Sequence, residues 1–147
     1  ERLFAKAVTR NPSFYDYYRQ KVIYLLPQWH GKPGELAEYV DSVAQSENDA
    51  NSSLLYFLIN ESVGMYDWSE KQKPAAHYDV LKRGFLNLQK THGATLRDTN
   101  WACYKALLAN DRPFAKELFT QLKDNADLRI WETKEFFNSA KQFASIQ

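Results

Sequence analysis

The stretch from Asn11 to Val43, NPSFYDYYRQKVIYLLPQWHGKPGELAEYVDSV, predicts two helices joined by a tight turn. Apolar residues recur at helical spacing on both sides of the segment Pro27 to Gly34, which we call the corner. Pro27 ends the first helix because proline lacks the backbone N–H that a helix interior needs. Glu35 suits the first turn of the second helix, near the positive end of the helix dipole. This helix–corner–helix unit is the element from which we expect the fold to be built.

Downstream of the corner the chain repeats the same plan, and the alternation typical of strands is nearly absent. The polar segments 45–51 and 67–74 predict connectors, with a helix beginning after Ser52 or Ser53 and another at Pro74. Further helix starts or stops are expected at Ser13, His92-Gly93, Thr95 or Asp98, Pro113 and Thr133. We therefore expect an all-α fold of about seven helices.

Composition bounds the class of protein. The chain has 147 residues, of which 44% are apolar and 15% aromatic, enough for the core of one domain spanning 1–147. With 19 basic and 18 acidic residues, no strong attraction to nucleic acid or to an anionic membrane is expected. No apolar run approaches the roughly 18–20 residues that span a bilayer, so we expect no membrane insertion. The compartment stays open, with a soluble cytoplasmic location slightly favoured.

The first residues already have a helical pattern and begin with Glu1, so we expect the chain to be a piece of a longer protein. Apolar i, i+3 pairs recur along it at intervals of 36, 45 and 34 residues. The pairs are Phe4 and Ala7, Val40 and Val43, Phe85 and Leu88, and Phe119 and Leu122. Intervals of this size are typical of stacked helix hairpins, each of which needs its neighbours to bury its apolar face.

Two family resemblances accompany this repetition. Phe4-x2-Ala7-x4-Pro12 and the segment 110–122, with Ala115, Phe119 and Leu122 at matching positions, resemble tetratricopeptide repeats. Residues 15–26 lack the Trp, Leu-Gly and Tyr of that family's first helix. The Leu-Pro-x-Trp-x-Gly-x-Pro-Gly pattern at 26–34 is similar to bacterial helical-repeat domains of unknown function. The resemblance implies antiparallel hairpins stacked as a short α-solenoid and brings no known chemistry.

The candidate binding residues lie on the helix before the corner and on the corner itself. They are Tyr17, Tyr24, Trp29, His30 and Lys32, and Arg10 could line a groove with the two tyrosines. Tyrosine and tryptophan are enriched at interfaces, and loops on a rigid scaffold often carry function. In the alternative interpretation, Trp29 packs across the hairpin as a lid while the tyrosines fill the core and keep their hydroxyl groups at its edge.

Catalytic and metal-binding patterns are lacking in the sequence. The histidines His30, His77 and His92 lie on separate segments without the local spacing of a metal site. No Gly-rich phosphate loop or GxSxG motif occurs. Asp98 and Asp111 are explained as cap and turn residues, and Cys103 as a small buried residue. A modest basic patch at Lys71, Lys73, Lys82 and Arg83 is explained by solvated helix faces. We expect no enzyme activity, no metal and no cofactor.

The sequence therefore predicts a non-catalytic protein- or peptide-binding or scaffolding domain. The alternative is a regulatory or small-molecule-binding accessory domain of a larger protein, and a third possibility is a structural spacer. A pocket enclosed by His30, Lys32 and aromatic residues would favour the small-molecule alternative, whereas an open concave face would favour a peptide. The partner's identity and the oligomeric state are left open.

Overall fold

The computed structural model describes residues 2–11, 14–46 and 50–146, and over this part of the chain the backbone forms helices and no strand. The all-α class predicted from the apolar periodicity is therefore confirmed. Ten helices follow one another: α1 (Arg2–Arg10), α2 (Asp16–Leu25), α3 (Glu35–Gln45), α4 (Ala50–Tyr66), α5 (Trp68–Lys71), α6 (Tyr78–Thr91), α7 (Leu96–Leu108), α8 (Arg112–Leu122), α9 (Leu128–Trp131) and α10 (Lys134–Ser145).

The expected count of about seven helices is not confirmed, since the described residues form eight longer helices and two one-turn helices within connectors. α5 and α9 have four residues each. Asp67 begins α5 by accepting the backbone N–H groups of Ser69 and Glu70, and Asp127 begins α9 by accepting that of Arg129. These carboxylates satisfy donors that a first helical turn leaves without partners. A helix of one turn is too short to show apolar periodicity in the sequence.

Side chains cap the starts of five of the ten helices in the described part of the chain. Thr95 and Asp98 form a reciprocal capping box at the start of α7, and Thr133 caps α10. The start predicted at Pro74 is wrong, because α6 begins at Tyr78. The Tyr56 hydroxyl group accepts the backbone N–H of His77 at 3.2 Å, which holds the preceding residues outside the helix.

The start of α4 predicted after Ser52 or Ser53 is also wrong, because α4 already begins at Ala50. The Ser52 hydroxyl group bonds to the Ser46 hydroxyl group at 2.8 Å across the connector. The expected cap at Ser13 lies outside the described residues.

α4 occupies the centre of the fold, where it contacts α2, α3, α5 and α6. Two glycines allow backbones to approach closely there. A Cβ atom on Gly84 of α6 would lie 1.9 Å from the carbonyl oxygen of Ser53, and one on Gly64 of α4 would lie 2.0 Å from the indole ring of Trp101 on α7. A larger residue at either position would push the helices apart, because the interior is close-packed.

Beyond α4 the contacts follow the order of the chain, with α6 on α7, α7 on α8 and α8 on α10. Of the recurring i, i+3 pairs, Phe85 with Leu88 and Phe119 with Leu122 are buried, whereas Phe4 and Ala7 are only partly buried. Sequential contacts of this kind are what stacked hairpins require, and the solenoid arrangement itself stays a prediction. Among the described residues, no helix combines the length and apolar character needed to cross a bilayer.

Candidate functional site

The corner is a defined backbone structure that depends on two glycines. The carbonyl oxygen of Leu26 accepts the N–H groups of both Trp29, at 2.9 Å, and Gly31, at 3.2 Å. A Cβ atom on Gly31 would lie 1.7 Å from the carbonyl oxygen of Leu25, so no other residue fits without moving the backbone. Gly34 precedes α3 with a φ of 86°, in the left-handed region that glycine enters at little cost. The corner therefore holds its side chains on a fixed frame.

The aromatic and basic side chains of the corner point into solvent. Trp29 is 62% exposed and Tyr24 is 56% exposed, and His30 and Lys32 are also exposed. The interpretation of Trp29 as a buried lid over the hairpin does not agree with this exposure. The imidazole ring of His30 lies over the ring of Tyr24, with 4.8 Å between the centroids and 30° between the planes. This stacking gives both side chains a preferred orientation.

A recess of about 430 Å³, which we call the α1–α2 groove, lies beside the corner. Tyr17 and Tyr24 both line it, because residues seven apart share one face of a helix. Its polar lining consists of Gln20, Lys21 and Glu35. The remaining lining residues are apolar: Leu3, Phe4, Ala7 and Leu25. The groove thus combines an apolar surface with one exposed aromatic side chain, Tyr24, and two partly buried ones, Phe4 and Tyr17, which suits an inserted apolar side chain.

The Lys21 side chain lies between the α1–α2 groove and α3. Its Nζ atom lies 4.6 Å from the centroid of the Phe4 ring and 4.2 Å from that of the Tyr39 ring. Ammonium groups are attracted to aromatic faces at such distances. Burial, together with the nearby Tyr18, raises the pKa of Tyr39 well above its usual value. Lys21 therefore places a positive charge at the groove without disturbing its apolar lining.

A second recess of about 350 Å³, which we call the α3–α4 pocket, lies on another side of the corner. Lys32 and Tyr56 line it, but His30 is not part of its lining. Its other charged groups pair with one another or with nearby groups. Lys73 Nζ lies 2.5 Å from Glu70 Oε1, Asp41 Oδ1 lies 3.0 Å from His77 Nε2, and Asp67 caps α5. This pocket is therefore not enclosed by both His30 and Lys32, as the small-molecule alternative would require.

Lys105, on α7, also lines this pocket, but its ammonium group is already engaged in hydrogen bonds within the fold. The side chain is almost fully buried, and Nζ donates to the carbonyl oxygens of Glu70 at 3.0 Å, Lys71 at 2.9 Å and Lys73 at 2.6 Å. Only the charged amine has three protons to give. Burial lowers the pKa of Lys105 to about 8, so the charged form still predominates at neutral pH. Lys105 therefore fastens α5 and the turn after it to α7.

Glu61 is a buried carboxylate at the junction of α4 and α7. It is 3% exposed, and its Oε1 atom lies 2.7 Å from Arg97 Nε. Its Oε2 atom is buried and has no hydrogen-bond partner among the described residues. Burial, helped by the hydrogen bond and negative charge of Asp98, raises the pKa of Glu61 to about 7. Because this exceeds the usual carboxyl pKa of 4.5, the folded protein holds a proton on Glu61 between a pH of about 4.5 and 7 that the unfolded chain releases.

The histidines and the cysteine lie in separate environments. His77 pairs with Asp41, and His92 ends α6 by donating its N–H to the carbonyl oxygen of Leu88. Cys103 is fully buried, and burial raises the pKa of its thiol well above the usual range. Within residues 2–11, 14–46 and 50–146, no group of three or more His, Cys, Asp or Glu side chains could hold a metal ion.

The structure brings together some of the candidate binding residues and separates others. The α1–α2 groove is lined by Tyr17 and Tyr24, and His30 lies against Tyr24. Lys32 instead lines the α3–α4 pocket. Trp29 stands exposed on the corner and lines neither recess. Of the α1 residues, the sequence suggested only Arg10 for a groove with the tyrosines, whereas Leu3, Phe4 and Ala7 line the groove. Glu61 had a signal too, since it is the one charged residue in the sequence of α4.

Comparisons with protein-family models, with curated proteins and with solved structures found no significant match to this chain. The likeness to tetratricopeptide repeats and to bacterial domains with the corner pattern therefore stays a resemblance. What the chain does has to be inferred from the groove, the corner and the charges around them.

Proposed function

We propose that this chain is a non-catalytic helical-repeat domain that binds a protein or peptide segment and so serves as a scaffold. The observation that supports this most strongly is the exposure of Tyr24, near the end of α2, and of Trp29, on the glycine-dependent corner beside the α1–α2 groove. Large aromatic side chains lose little conformational entropy on binding and often dominate interface energies. An apolar recess next to them offers the concave surface that such an interface needs.

The proposed mechanism is anchoring on a preformed surface. An apolar side chain of the partner enters the α1–α2 groove between Tyr17 and Tyr24, while Trp29 contacts the partner segment as it passes the corner. Lys21 and Lys32 orient the segment by contacting its polar groups. Because the Leu26 carbonyl oxygen already accepts the N–H groups of Trp29 and Gly31, the corner needs little further ordering when the partner arrives.

A selection of short random peptides displayed on phage, using the whole chain as the target, tests this proposal. We expect selected peptides to bind at least about tenfold more weakly to a Tyr24→Ala, Trp29→Ala double variant, because both anchors are removed. The matched control is Tyr66→Ala, Trp68→Ala, which truncates a tyrosine 54% exposed and a tryptophan 52% exposed on a different surface. Fluorescence polarisation measures affinity, and circular dichroism checks that both variants keep their helices.

Two results would contradict the proposal. In the first, no peptide is enriched over repeated rounds of selection. In the second, the control pair weakens binding as much as the corner pair, which would separate binding from the corner.

The α3–α4 pocket supports the small-molecule alternative to a limited extent. Its volume of about 350 Å³ falls at the low end of the range for ligand sites. Most of its charged groups are already paired, so few remain to orient a ligand. A metabolite screen by thermal shift separates the two functions, since a pocket ligand should raise the melting temperature of the Tyr24→Ala, Trp29→Ala variant as much as that of the wild type.

A further inference from the structure

Basic side chains are concentrated in the part of the chain that forms the α1–α2 groove. Residues 2–32 contain six basic side chains and one acidic side chain, whereas the whole chain is nearly balanced with 19 and 18. The six are Arg2, Lys6, Arg10, Arg19, Lys21 and Lys32, and the acid is Asp16. A nearly neutral protein can therefore present a locally positive surface, which a net charge of +1 conceals.

On α1 this charge forms a line beside the groove. Arg2, Lys6 and Arg10 are four residues apart, so each turn of the helix places one of them above the last. All three are exposed. Leu3 and Ala7, which line the groove, directly follow the first two along the chain and so occupy the adjacent helical face. A basic stripe therefore borders an apolar recess.

The other charges at the groove do not cancel this stripe. Lys21 adds a positive charge to the lining. Glu35 is the acid of the lining, and its Oε2 atom accepts the backbone N–H of Lys32 at 3.1 Å within the corner. Asp16, at the start of α2, lies 3.9 Å from Arg19. Asp16 and Glu35 thus each already lie close to a donor of this chain.

We propose that the α1–α2 groove binds an acidic peptide segment that inserts an aromatic or aliphatic anchor, a specificity that rests on the proposed function. Aspartates and glutamates of the partner lie along Arg2, Lys6 and Arg10 while the anchor enters between Leu3 and Tyr24. Charge complementarity selects acidic partners and speeds their association, and the apolar recess supplies most of the affinity. A recess suits an inserted side chain, whereas a lipid surface would favour an apolar face that projects outward.

The first test examines the composition of peptides selected from the random library. We expect enrichment of Asp and Glu together with at least one large apolar residue, and depletion of Lys and Arg. Selected peptides that show no bias toward acidic residues, or a bias toward basic ones, would overturn this inference while leaving the proposed function intact. If no peptide is selected at all, the proposed function fails and the inference fails with it.

The second test reverses the charge of the stripe. A Lys6→Glu, Arg10→Glu variant should bind an acidic peptide about tenfold or more weakly at low ionic strength, with the difference shrinking as salt screens it. The matched control is Lys116→Glu, Lys90→Glu, which makes the same change in net charge at an exposed lysine within α8 and one in the last turn of α6. Equal weakening by both variants would overturn the inference, because only overall charge would then matter.

A third arm separates a peptide from a membrane. The chain is mixed with vesicles of phosphatidylcholine alone and with vesicles containing phosphatidylserine, and sedimentation measures binding. We expect the acidic peptide to bind and the anionic vesicles to leave the chain in the supernatant. Sedimentation with anionic vesicles that depends on Lys6 and Arg10, without binding of any acidic peptide, would replace the peptide with a lipid surface and overturn the inference.

Discussion

The early helices and the later helices of the chain bury their residues to different extents. α7 contains nine successive buried positions, from Asp98 to Ala106. α1, every residue of which is described, has no buried position, and α3 has one, Val43. Because the free energy of burial scales with apolar area removed from water, most of the stabilisation belongs to the later helices. The early helices keep apolar area exposed, where a partner can still cover it.

Two tryptophans show this contrast at single positions. Trp131 is fully buried, and its ring lies within 6 Å of those of Tyr104, Phe119 and Phe137. Its Nε1–H donates to the side-chain oxygen of Asn100 at 2.7 Å. Trp29 is 62% exposed. The same residue type therefore serves the core in one place and is available for contact in the other, and environment rather than composition decides which.

The largest expected effect comes from truncating the buried tryptophan. Trp131→Ala should lower the free energy of unfolding by about 3–5 kcal/mol, because a large cavity replaces the ring and the buried oxygen of Asn100 loses a donor. Urea denaturation followed by circular dichroism measures the loss. Trp131→Phe is the control, since it keeps much of the ring volume and should cost less. A loss below about 1 kcal/mol for the alanine variant would break the contrast between the two ends.

Periodicity predicted the buried face of α7 only in part. Helical spacing predicts a core face of Trp101, Ala102, Tyr104, Ala106 and Leu108, and the structure buries all of them except Leu108, which is partly buried. The burial of the polar residues between them was not expected, because it depends on partners far along the chain. Lys105 is buried because the carbonyl groups of residues 70, 71 and 73 surround it. Sequence spacing reports which residues share a helix face, but it does not report what the opposite element offers.

Asn100 illustrates the same limit. Its Nδ2 group donates to the carbonyl oxygens of Leu96 and Asn125, and its Oδ1 atom accepts from Asp127 N–H and Trp131 Nε1–H. A lone asparagine in a helix normally signals a solvent-exposed or cap position. Three of its four bonds tie α7 to the segment before α10, an arrangement that no local pattern contains.

The candidate site was predictable in residue type but not in geometry. The tryptophan, histidine and glycines of the corner indicated a candidate site. The structure exposes the side chains of Tyr24, Trp29, His30 and Lys32 to solvent. The course of the corner depends on Gly31 passing the carbonyl oxygen of Leu25 at a distance that excludes a side chain. That approach sends Lys32 to one recess and leaves His30 over Tyr24 at the other, which residue spacing alone does not specify.

A second prediction concerns Glu61, at the junction between α4 and the densely packed helices. Because the folded pKa of about 7 lies above the usual carboxyl value, its protonation stabilises the folded state. This contribution is fully present below a pH of about 4.5 and is lost as pH rises through 7. The shift corresponds to at most about 3 kcal/mol. Denaturation of the wild type across this range, compared with Glu61→Gln, measures it as the difference between the two curves.

In Glu61→Gln the uncharged amide occupies the same volume and removes the titration. We expect the variant to gain stability relative to the wild type as pH rises from 5 to 8. Because the two proteins differ only at this side chain, comparing the curves cancels the contributions of all the other titratable groups. Parallel curves would mean that the charged carboxylate costs nothing at this junction, and the pair of Glu61 with Arg97 would then have to compensate its burial fully.

The smallest expected change in stability comes from Trp29→Ala, which tests the exposed member of the two tryptophans. Because 62% of the side chain already faces water, its removal should alter the free energy of unfolding by no more than about 0.5 kcal/mol. Denaturation under the conditions used for Trp131→Ala gives the direct comparison, and polarisation with a selected peptide gives the functional one. We expect the exposed tryptophan to matter for binding and hardly for folding, and the buried one to matter for folding first. A stability loss approaching that of Trp131→Ala would show that the corner belongs to the core in solution, and it would leave the α1–α2 groove without its neighbouring anchor.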